Sequence, residues 1–454
     1  MILNPELQRN IWKDFSLHRI LIMALTIFLI LWVFALGTNL PARADAAFYL
    51  ACFFIFIWGT KNASETVIEE VNNSTWDFQR QTAMSPWTMT WGKLFGSTLY
   101  SWYGAFICLG VYALYALYSP NPTTKFYEIG ILILGGIFTH ATTILLSLQL
   151  LPHIRREKTN KTFRYFLGGI TLGYLFTHPA LLAIHGSGQM ISWYGYSFDQ
   201  SHFTLVSLCL FLGWAILGLY RSFAKELQYQ NSPWAWAIFN LYCLIYFSGF
   251  INIQNIEPIK LLTSQFADFQ QNVLNAPYYL AFFIAIILTY AALFIDELTL
   301  LRYRKLVQRS KVSFRESLQQ LPWWPISFTF TLIMGLAIVL RLQSNNAIII
   351  NYSPFMLVFT TCGFLLRDIL LIHFFNFGQH PRKALGASLL YLFILYTLLP
   401  LLLQALQFSA LLPLFVPSWG QNTPLALFSL FIQIGLLSAL CWRRILSQQT
   451  IIKA

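Results

Sequence analysis

The sequence predicts an all-α, polytopic integral membrane protein with about twelve transmembrane helices in two parallel six-helix repeats. Hydrophobic residues make up 57% of its 454 residues, and charged residues only 10%. The apolar residues form uninterrupted runs, each near the ~20 residues that a helix needs to cross a bilayer. A soluble protein of this length is less apolar and has no need for so many such runs.

The first half contains an amphipathic N-terminal segment, residues 1–18, and then six predicted spans. The first apolar run has the length of a full span rather than that of a signal-peptide core. A polar, aromatic loop at 186–201 separates the last two spans. The spans of this half cover residues 20–37, 46–60, 94–118, 128–151, 165–185 and 203–220.

The second half contains six more predicted spans. A loop at 254–276 has room for a short surface helix, and the most basic run of the chain follows the second span of this half. The spans cover residues 234–253, 277–295, 326–342, 354–377, 385–405 and 424–441.

The basic residues predict the orientation of the chain. Only four of the 29 Lys and Arg residues lie in the loops predicted on the outer side of the membrane, and Arg367 alone lies inside a span. Because cytoplasmic loops carry the excess of Lys and Arg, both termini are predicted to be cytoplasmic. The net charge of +12 is dispersed between spans and does not indicate nucleic-acid binding. The remaining 24 basic residues lie in segments 1–19, 60–93, 153–164, 220–233, 299–324, 378–386 and 442–454.

Weak internal similarity indicates a repeat with halves at 1–230 and 231–454. FYLACFF in the first half resembles YYLAFF in the second, and the Ser-Pro-Trp run at Ser85 resembles the Leu-Pro-Trp run at Leu321. The similar segments occur in the same order in both halves. Six spans per half give both halves the same orientation, which defines a parallel repeat. The alternative is the generic similarity of any two Phe- and Leu-rich membrane segments.

Residues 65–93 carry most of the polar chemistry of the first half. Their charged side chains cannot lie in the hydrocarbon of a bilayer at reasonable cost. Ser85 is a suitable N-cap, and proline fits the first helical position. Trp87 and Trp91, one turn apart, are expected to anchor this helix at the membrane surface. Gly92 is expected to permit a bend into the next span. The charged residues here are Glu65, Glu69, Glu70, Asp77, Arg80 and Lys93.

The run WDFQRQTAMSPWTMTWGKLFGS in this stretch resembles the cytoplasmic coupling segment of the exporter-type (type two) ABC transporter permeases. The Met-Ser-Pro start and the Gly-Lys pair match, whereas Ser74-Thr75-Trp76 replaces the usual Gly-Thr-Leu. The resemblance implies contact with an ATPase subunit, with Met84, Thr88 and Met89 available to a groove on it. The alternative is an interfacial loop of any polytopic protein. The residues implied in coupling are Asp77, Arg80, Met84, Ser85, Pro86, Trp87, Gly92 and Lys93.

This resemblance implies the fused, two-repeat permease subunit of an ABC exporter in a bacterial cytoplasmic (inner) membrane. ATP would be hydrolysed on separate ATPase subunits, because the chain has no GxxxxGK[ST] phosphate loop. The chain itself would then bind no cofactor and would not be an enzyme. Its partners would be the ATPase subunits and membrane lipids, and its substrate a hydrophobic or amphipathic molecule.

The second half has a weaker counterpart at residues 299–325. Pro322 and Trp323 repeat the Pro-Trp turn, but the Gly-Lys pair is missing. The helix before them is basic from Arg302 to Arg315, whereas its counterpart in the first half is acidic. Two interpretations are compatible with this difference: unequal contact with ATPase subunits, or binding of anionic lipid headgroups without a partner protein.

Arg367 and Asp368 lie within a predicted span, where charges are costly, so they are expected to face the bundle interior or a watery path. Adjacent helical residues point ~100° apart and need not pair with each other. The pair is either a substrate or gating site or a structural ion network. No metal site is expected, because the histidines lack ligand spacing and the cysteines fall within apolar runs.

Two other function classes remain as rivals. A twelve-span secondary carrier of the major facilitator type shares the plan of two parallel halves. That class usually has a Gly-rich Asp/Arg motif in the loop between its second and third spans. The corresponding loop of this chain is long and acidic and contains tryptophans. A membrane-bound lipid or glycan enzyme would need a polar catalytic constellation, and the outer loops offer only Asp199, Glu257 and Asp268.

Overall fold

The described part of the chain is almost entirely helical, and it fits a multi-pass membrane protein. Within it, nine helices are long and apolar enough to cross a membrane, or ten if the bent pair Tyr279–Ile295 and Leu300–Ser310 counts as one span. The computed structural model describes residues 4–37, 40–82, 84–149, 151, 162–185, 190–229, 231–250, 279–296, 298–311, 313–344, 354–378, 383–417 and 423–453.

The chain divides into two compact units. The first comprises Met1–Ile191 and Ser197–Asn231, and the second comprises Ser192–Tyr196 and Ser232–Ala454. The predicted division after residue 230 falls next to this boundary. The relation of the two halves as repeats stays a prediction.

The first unit begins with a short amphipathic helix and continues with long apolar ones. Between Cys52 and Thr60 the backbone is a π-helix, Phe53–Gly59, which joins α3 and α4 into one long helix. The helices are α1 (Pro5–Asp14), α2 (Leu17–Leu36), α3 (Leu40–Cys52), α4 (Thr60–Asn72), α5 (Trp76–Gln81), α6 (Pro86–Gly96), α7 (Leu99–Leu117), α8 (Pro122–Gln149), α9 (Thr162–His185) and α10 (Gln200–Glu226).

A β-hairpin interrupts this helical pattern, so the prediction of an all-α chain is wrong at one point. Strand β1 (Met190–Trp193) pairs with β2 (Tyr196–Asp199), where the sequence predicted an irregular loop. Tyr194 and Gly195 between them have φ angles of 50° and 82°. Two successive positive φ angles suit the two-residue turns that match the twist of a hairpin.

The second unit is built from long helices with two irregular insertions. A π-helix, Ile394–Leu398, lies between the helices Ala384–Phe393 and Leu399–Ala405, and a 3-10 turn, Ser409–Leu414, follows them. The helices are α11 (Trp234–Ser248), α12 (Tyr279–Ile295), α13 (Leu300–Ser310), α14 (Phe314–Gln319), α15 (Trp323–Ser344), α16 (Pro354–Asn376), α17 (Ala384–Phe393), α18 (Leu399–Ala405) and α19 (Thr423–Lys453).

Each of the twelve predicted spans overlaps a helix in the described part of the chain. The number of spans nevertheless stays a prediction, because only nine or ten helices there have the required length and composition. The helix at the seventh predicted span, α11, has 15 residues. The predicted loop at 254–276 and most of the basic turn at 153–164 lie outside the described residues.

The packing of α2 shows which surfaces face outward. Its Met23 and Ile27 are buried against α3 and α7, but most of its other side chains are not. Leu21, Phe28 and Trp32 are 60%, 57% and 54% exposed. Soluble proteins rarely expose contiguous apolar surface, so this face fits contact with lipid tails.

Candidate functional site

The polar stretch 65–93 folds into the end of α4 and two short helices, α5 and most of α6. Helix α6 begins as predicted, with Pro86 as its first residue. The Ser85 hydroxyl accepts a hydrogen bond from the backbone N–H of Thr88 at 3.1 Å. This cap satisfies one of the donors that a helix start leaves open. The stretch therefore ends in a helix distinct from α7.

A charge cluster that is buried except for Arg9 holds α6 in place; we call Glu6, Arg9, Glu70, Gln79 and Lys93 the Lys93 cluster. The fully buried ammonium of Lys93 pairs with the Glu70 carboxylate and lies 2.7 Å from Oε1 of Glu6. Arg9 lies 2.7 Å from the same Glu6 oxygen and also pairs with Glu70. Gln79 donates to Glu70 Oε1 at 2.9 Å. The cluster joins α1, α4, α5 and α6.

Charge balance explains how the Lys93 cluster can be buried. Its two carboxylates face two cations, and each carboxylate contacts both of them. An isolated buried ion would carry a large desolvation penalty, which this arrangement offsets. Removing one partner would leave an uncompensated charge, at a typical cost of ~3–5 kcal/mol. The cluster therefore fixes its four helices relative to one another.

Two glycines let α1 lie directly on α6. A Cβ added to Gly92 would come within 2.5 Å of the Glu6 Cβ, and one added to Gly96 within 2.7 Å of Nδ2 of Asn10. Small residues four positions apart share one helix face and allow close approach of a second helix. The predicted role of Gly92 in a bend is wrong, because α6 continues to Gly96. The position requires the absence of a side chain, not conformational freedom.

Another face of α6 carries Trp87, Trp91 and Phe95, and together with Tyr220 of α10 these residues form what we call the aromatic ridge. Trp87 stacks on Tyr220 of α10 with ring centroids 4.4 Å apart, and on Trp91 at 6.2 Å. Trp91 in turn stacks on Phe95 at 5.6 Å. Trp87 and Trp91 remain 44% and 41% exposed. The ridge is therefore accessible at the surface of the first unit.

The residues expected to face an ATPase groove differ in exposure. Met84 and Thr88 are half-buried, whereas Met89 is buried. Met89 lies one turn before Lys93 and shares its inward face. The expectation that Met89 is available to a partner is therefore wrong.

Arg80 and Trp76 join α5 to the end of α10, whereas Asp77 pairs with Arg80 of its own helix. The Arg80 Nε–H donates to the backbone oxygen of Glu226 at 2.8 Å, and Arg80 also lies 3.3 Å from Asp77. Trp76 is buried, and its indole N–H donates to the Glu226 carboxylate at 3.4 Å. The N-terminal helix, the predicted coupling segment and the segment after the sixth predicted span, all predicted to be cytoplasmic, thus meet in the first unit.

The second unit arranges its predicted coupling segment, 299–325, differently. Asp296 at the end of α12 pairs with Arg302 of α13, and its other oxygen accepts the backbone N–H of Trp323 at 3.0 Å. Pro322 is buried, and Trp323 opens the long helix α15 itself. Among its described residues, the segment contains α13 and α14 but no separate helix equivalent to α6.

Arg367 and Asp368 pair with each other inside the second unit. The Arg367 Nε–H donates to Oδ1 of Asp368 at 2.9 Å, and both side chains are buried. The hydroxyls of Tyr290 and Tyr396 donate to Oδ2 at 2.5 and 2.6 Å. Although adjacent positions diverge on a helix, the long arginine side chain reaches back to its neighbour, so the structure decides a pairing that the sequence left open.

Arg367 also reaches the chain between α18 and α19. One guanidinium nitrogen donates to the backbone oxygen of Phe415 at 3.2 Å and to Oε1 of Gln433 at 3.1 Å. Gln433 donates to the backbone oxygen of Leu414 at 2.8 Å. Irregular backbone leaves carbonyl groups without a helical partner, and here those of Leu414 and Phe415 accept hydrogen bonds from side chains. The network therefore connects α12, α16, the π-helix before α18 and α19.

Sequence reasoning singled out Glu70 and Lys93 at the first site and Arg367 and Asp368 at the second, but it missed most of their partners. Glu6, Tyr290, Tyr396 and Gln433 were not predicted, because their roles depend on which helix faces meet. A polar group within a predicted span is the one local signal available, and Gln433 and the two tyrosines carry it. For Glu6, no such signal exists.

Of the three outer carboxylates considered for an enzyme, only Asp199 is described, and it caps α10. Its Oδ2 accepts the backbone N–H of His202 at 3.1 Å and lies 2.8 Å from the ring Nδ1. These hydrogen bonds hold the pKa of Asp199 below its ordinary value. Glu257 and Asp268 lie outside the described residues.

Comparison of the chain with protein-family models, with curated proteins and with solved structures finds no match to any of them.

Proposed function

We propose that this chain is the membrane permease subunit of an ATP-driven ABC exporter, with both halves fused in one polypeptide. The proposal rests first on the resemblance of residues 65–97 to the coupling segment of type two ABC permeases. It includes a bacterial inner membrane, cytoplasmic termini, ATP hydrolysis on separate subunits and an unidentified hydrophobic or amphipathic substrate.

The observation that carries the proposal is the way α6 is held. On one side, the Lys93 cluster ties α6 to α1 and α4. Helix α4 continues through the π-helix into α3, and α7 follows α6 after a short break. A force applied to α6 would therefore reach two long apolar helices without being absorbed in a loop. A coupling element needs this property, because packed interiors transmit small displacements.

The accessible side of the segment supplies a surface for a partner. Phe78 on α5 is 72% exposed, and the exposed Trp87 follows the exposed Ser85 by two positions. Large apolar side chains beside polar ones are common at protein–protein contacts, where aromatic residues contribute much of the binding energy. Under this proposal, an ATPase groove would cover this surface.

A charge placed at the edge of this surface tests the proposal. We expect Met84→Glu to weaken co-purification of the ATPase encoded by a neighbouring reading frame, while the permease stays folded and inserted. Met84 is half-buried and lies outside the Lys93 cluster, so the cluster itself is unchanged. Gln320→Glu is the matched control in the second unit, and we expect it to do less.

Both variants should be pulled down with the candidate ATPase at equal membrane levels. If no ATPase co-purifies with the unmodified protein, and transport continues in ATP-depleted vesicles with a proton gradient, the exporter proposal is wrong.

A proton-driven carrier of the major facilitator type is the second candidate function, favoured by one observation. Asp368 is a fully buried carboxylate in an apolar helix, held by two tyrosine hydroxyls and an arginine. Intramembrane carboxylates often form part of proton relays. The vesicle experiment separates the two candidates, because a carrier needs the proton gradient and not ATP.

A further inference from the structure

Helix α13 of the second unit runs across the direction of the span before it. The axes of α12 and α13 differ by 103°. If α12 crosses the bilayer, α13 therefore lies nearly parallel to the membrane surface. Helices in this position are usually amphipathic and contact the headgroup region.

One side of α13 is fastened to the second unit. Arg302 pairs with Asp296, and the Tyr303 hydroxyl lies 2.8 Å from Nε2 of His373. The same hydroxyl accepts a hydrogen bond from the indole N–H of Trp324 at 2.8 Å. These contacts fix the rotation of α13 about its own axis and so determine which residues face away from the bundle.

The remaining sides of α13 combine cations with exposed apolar groups. Lys305, Arg309 and Lys311 are exposed, and no ion pair links them to another described residue. Leu301 and Val307 are 64% and 56% exposed. A surface that alternates positive charge with aliphatic side chains is suited to the boundary between lipid headgroups and acyl chains.

Arg304 gives this surface a more specific feature. It shares a helix face with Val307 and Lys311, three and seven positions further on. Its Nε and one terminal nitrogen are buried, yet they have no hydrogen-bond partner among the described residues. A buried donor without a partner is unfavourable, so an acceptor is expected there. The planar guanidinium fork matches a phosphate group better than a lysine does.

We propose that Arg304 and Lys311 bind the phosphate of an anionic phospholipid headgroup on the side of the membrane where α13 lies. The Arg304 side chain turns outward to bring its unsatisfied donors to the phosphate, and the acyl chains cover Val307 and Leu301. The basic segment is predicted to be cytoplasmic, and the cytoplasmic leaflet is the one with a negative surface potential.

A lipid explains this surface better than an acidic surface of a partner protein does. The exposed aliphatic side chains lie between the cations, and a headgroup with its acyl chains satisfies both kinds of group at once. This inference does not depend on the proposed function, because an exporter and a carrier would both hold α13 at the membrane surface.

The test uses the purified full-length protein in neutral detergent, titrated with phosphatidylglycerol or with zwitterionic phosphatidylcholine. Bound lipid is counted by native mass spectrometry, and the unfolding temperature is followed in parallel. We expect phosphatidylglycerol to bind more tightly and Arg304→Gln to weaken it about five-fold, the effect of one basic residue near an anionic surface. The affinity of Arg304→Lys for phosphatidylglycerol should fall between those of the unmodified protein and of Arg304→Gln, because lysine keeps the charge but lacks the planar guanidinium fork.

Lys13→Gln, on the exposed end of α1, is the matched loss of one charge outside α13, and it should leave lipid binding unchanged. If Arg304→Gln does not fold, Lys311→Gln should give a smaller loss in the same direction. Equal binding of the two lipids, equal losses for Lys13→Gln and Arg304→Gln, or equal stabilisation by inorganic phosphate alone would overturn the proposal. The proposal would also be overturned if Arg304→Gln left lipid binding unchanged and abolished co-purification of an ATPase.

Discussion

Replacing Lys93 by methionine tests most directly how α6 is held. Methionine keeps much of the side-chain volume but removes the ammonium group that Glu6 and Glu70 share. The carboxylates would then keep only Arg9, which is 48% exposed, and the amide of Gln79. Breaking a buried ion pair from one side typically costs ~3–5 kcal/mol, and we expect a loss of this size in the free energy of unfolding.

Lys61→Met is the control for this substitution. Lys61 lies 3.8 Å from Glu65 on α4 and is 62% exposed. Exposed pairs at this spacing contribute only about 0.3–0.5 kcal/mol, so the control isolates the effect of burial. Unfolding of both purified variants by denaturant in detergent, followed by tryptophan fluorescence, gives the two free energies.

A double substitution separates the charge from the packing. Adding Glu70→Gln to Lys93→Met neutralises part of the uncompensated charge. The double variant should therefore lose less free energy of unfolding than the sum of the losses of the two single variants. We expect a coupling energy of about 1–3 kcal/mol. If Lys93→Met is no more destabilising than Lys61→Met, the ammonium is not held by buried carboxylates and the account of a rigid coupling element fails.

Three further predictions concern α6, the intramembrane pair and the topology. Gly92→Ala should destabilise the protein by about 1–3 kcal/mol in the same unfolding assay because α1 leaves no room, whereas Gly110→Ala, with nothing within 4 Å, should be neutral or stabilising. Asp368→Ala should reduce purified yield and transport more than Thr143→Ala, because it leaves Arg367 uncompensated; a variant indistinguishable from wild type would show that the carboxylate faces water. A cysteine at Thr159, in a background without native cysteines, should resist impermeant reagents applied outside intact cells, and its labelling would reverse the charge-based orientation.

The long helices and the start of α6 could be predicted from the sequence because both are local properties. A run of about 20 apolar residues forms a helix in a bilayer, since its backbone must satisfy its own hydrogen bonds there. The cap by Ser85 and the position of Pro86 involve only neighbouring residues. Arg367 and Asp368 could be singled out for the same reason, because a charge within an apolar run is visible without its neighbours.

The hairpin at Tyr194–Gly195 was missed although its signal is also local. The alternation of polar and apolar residues covers only three or four positions on each side of the turn, and the turn has Gly only at its second position. The most favoured two-residue turns carry Asn or Asp before Gly, so this sequence gave a weak indication of a turn.

The contacts that define both candidate sites depend on how helices pack, and no single helix contains that information. Asp368 meets Tyr290 across 78 positions of the chain, and Lys93 meets Glu70 across 23. Gly92 is the clearest example. A glycine permits either a bend or a close approach, and the choice between them depends on a second helix. Here α1 lies against α6 and brings Glu6 to Lys93, because two backbones can pack this closely only where no side chain separates them.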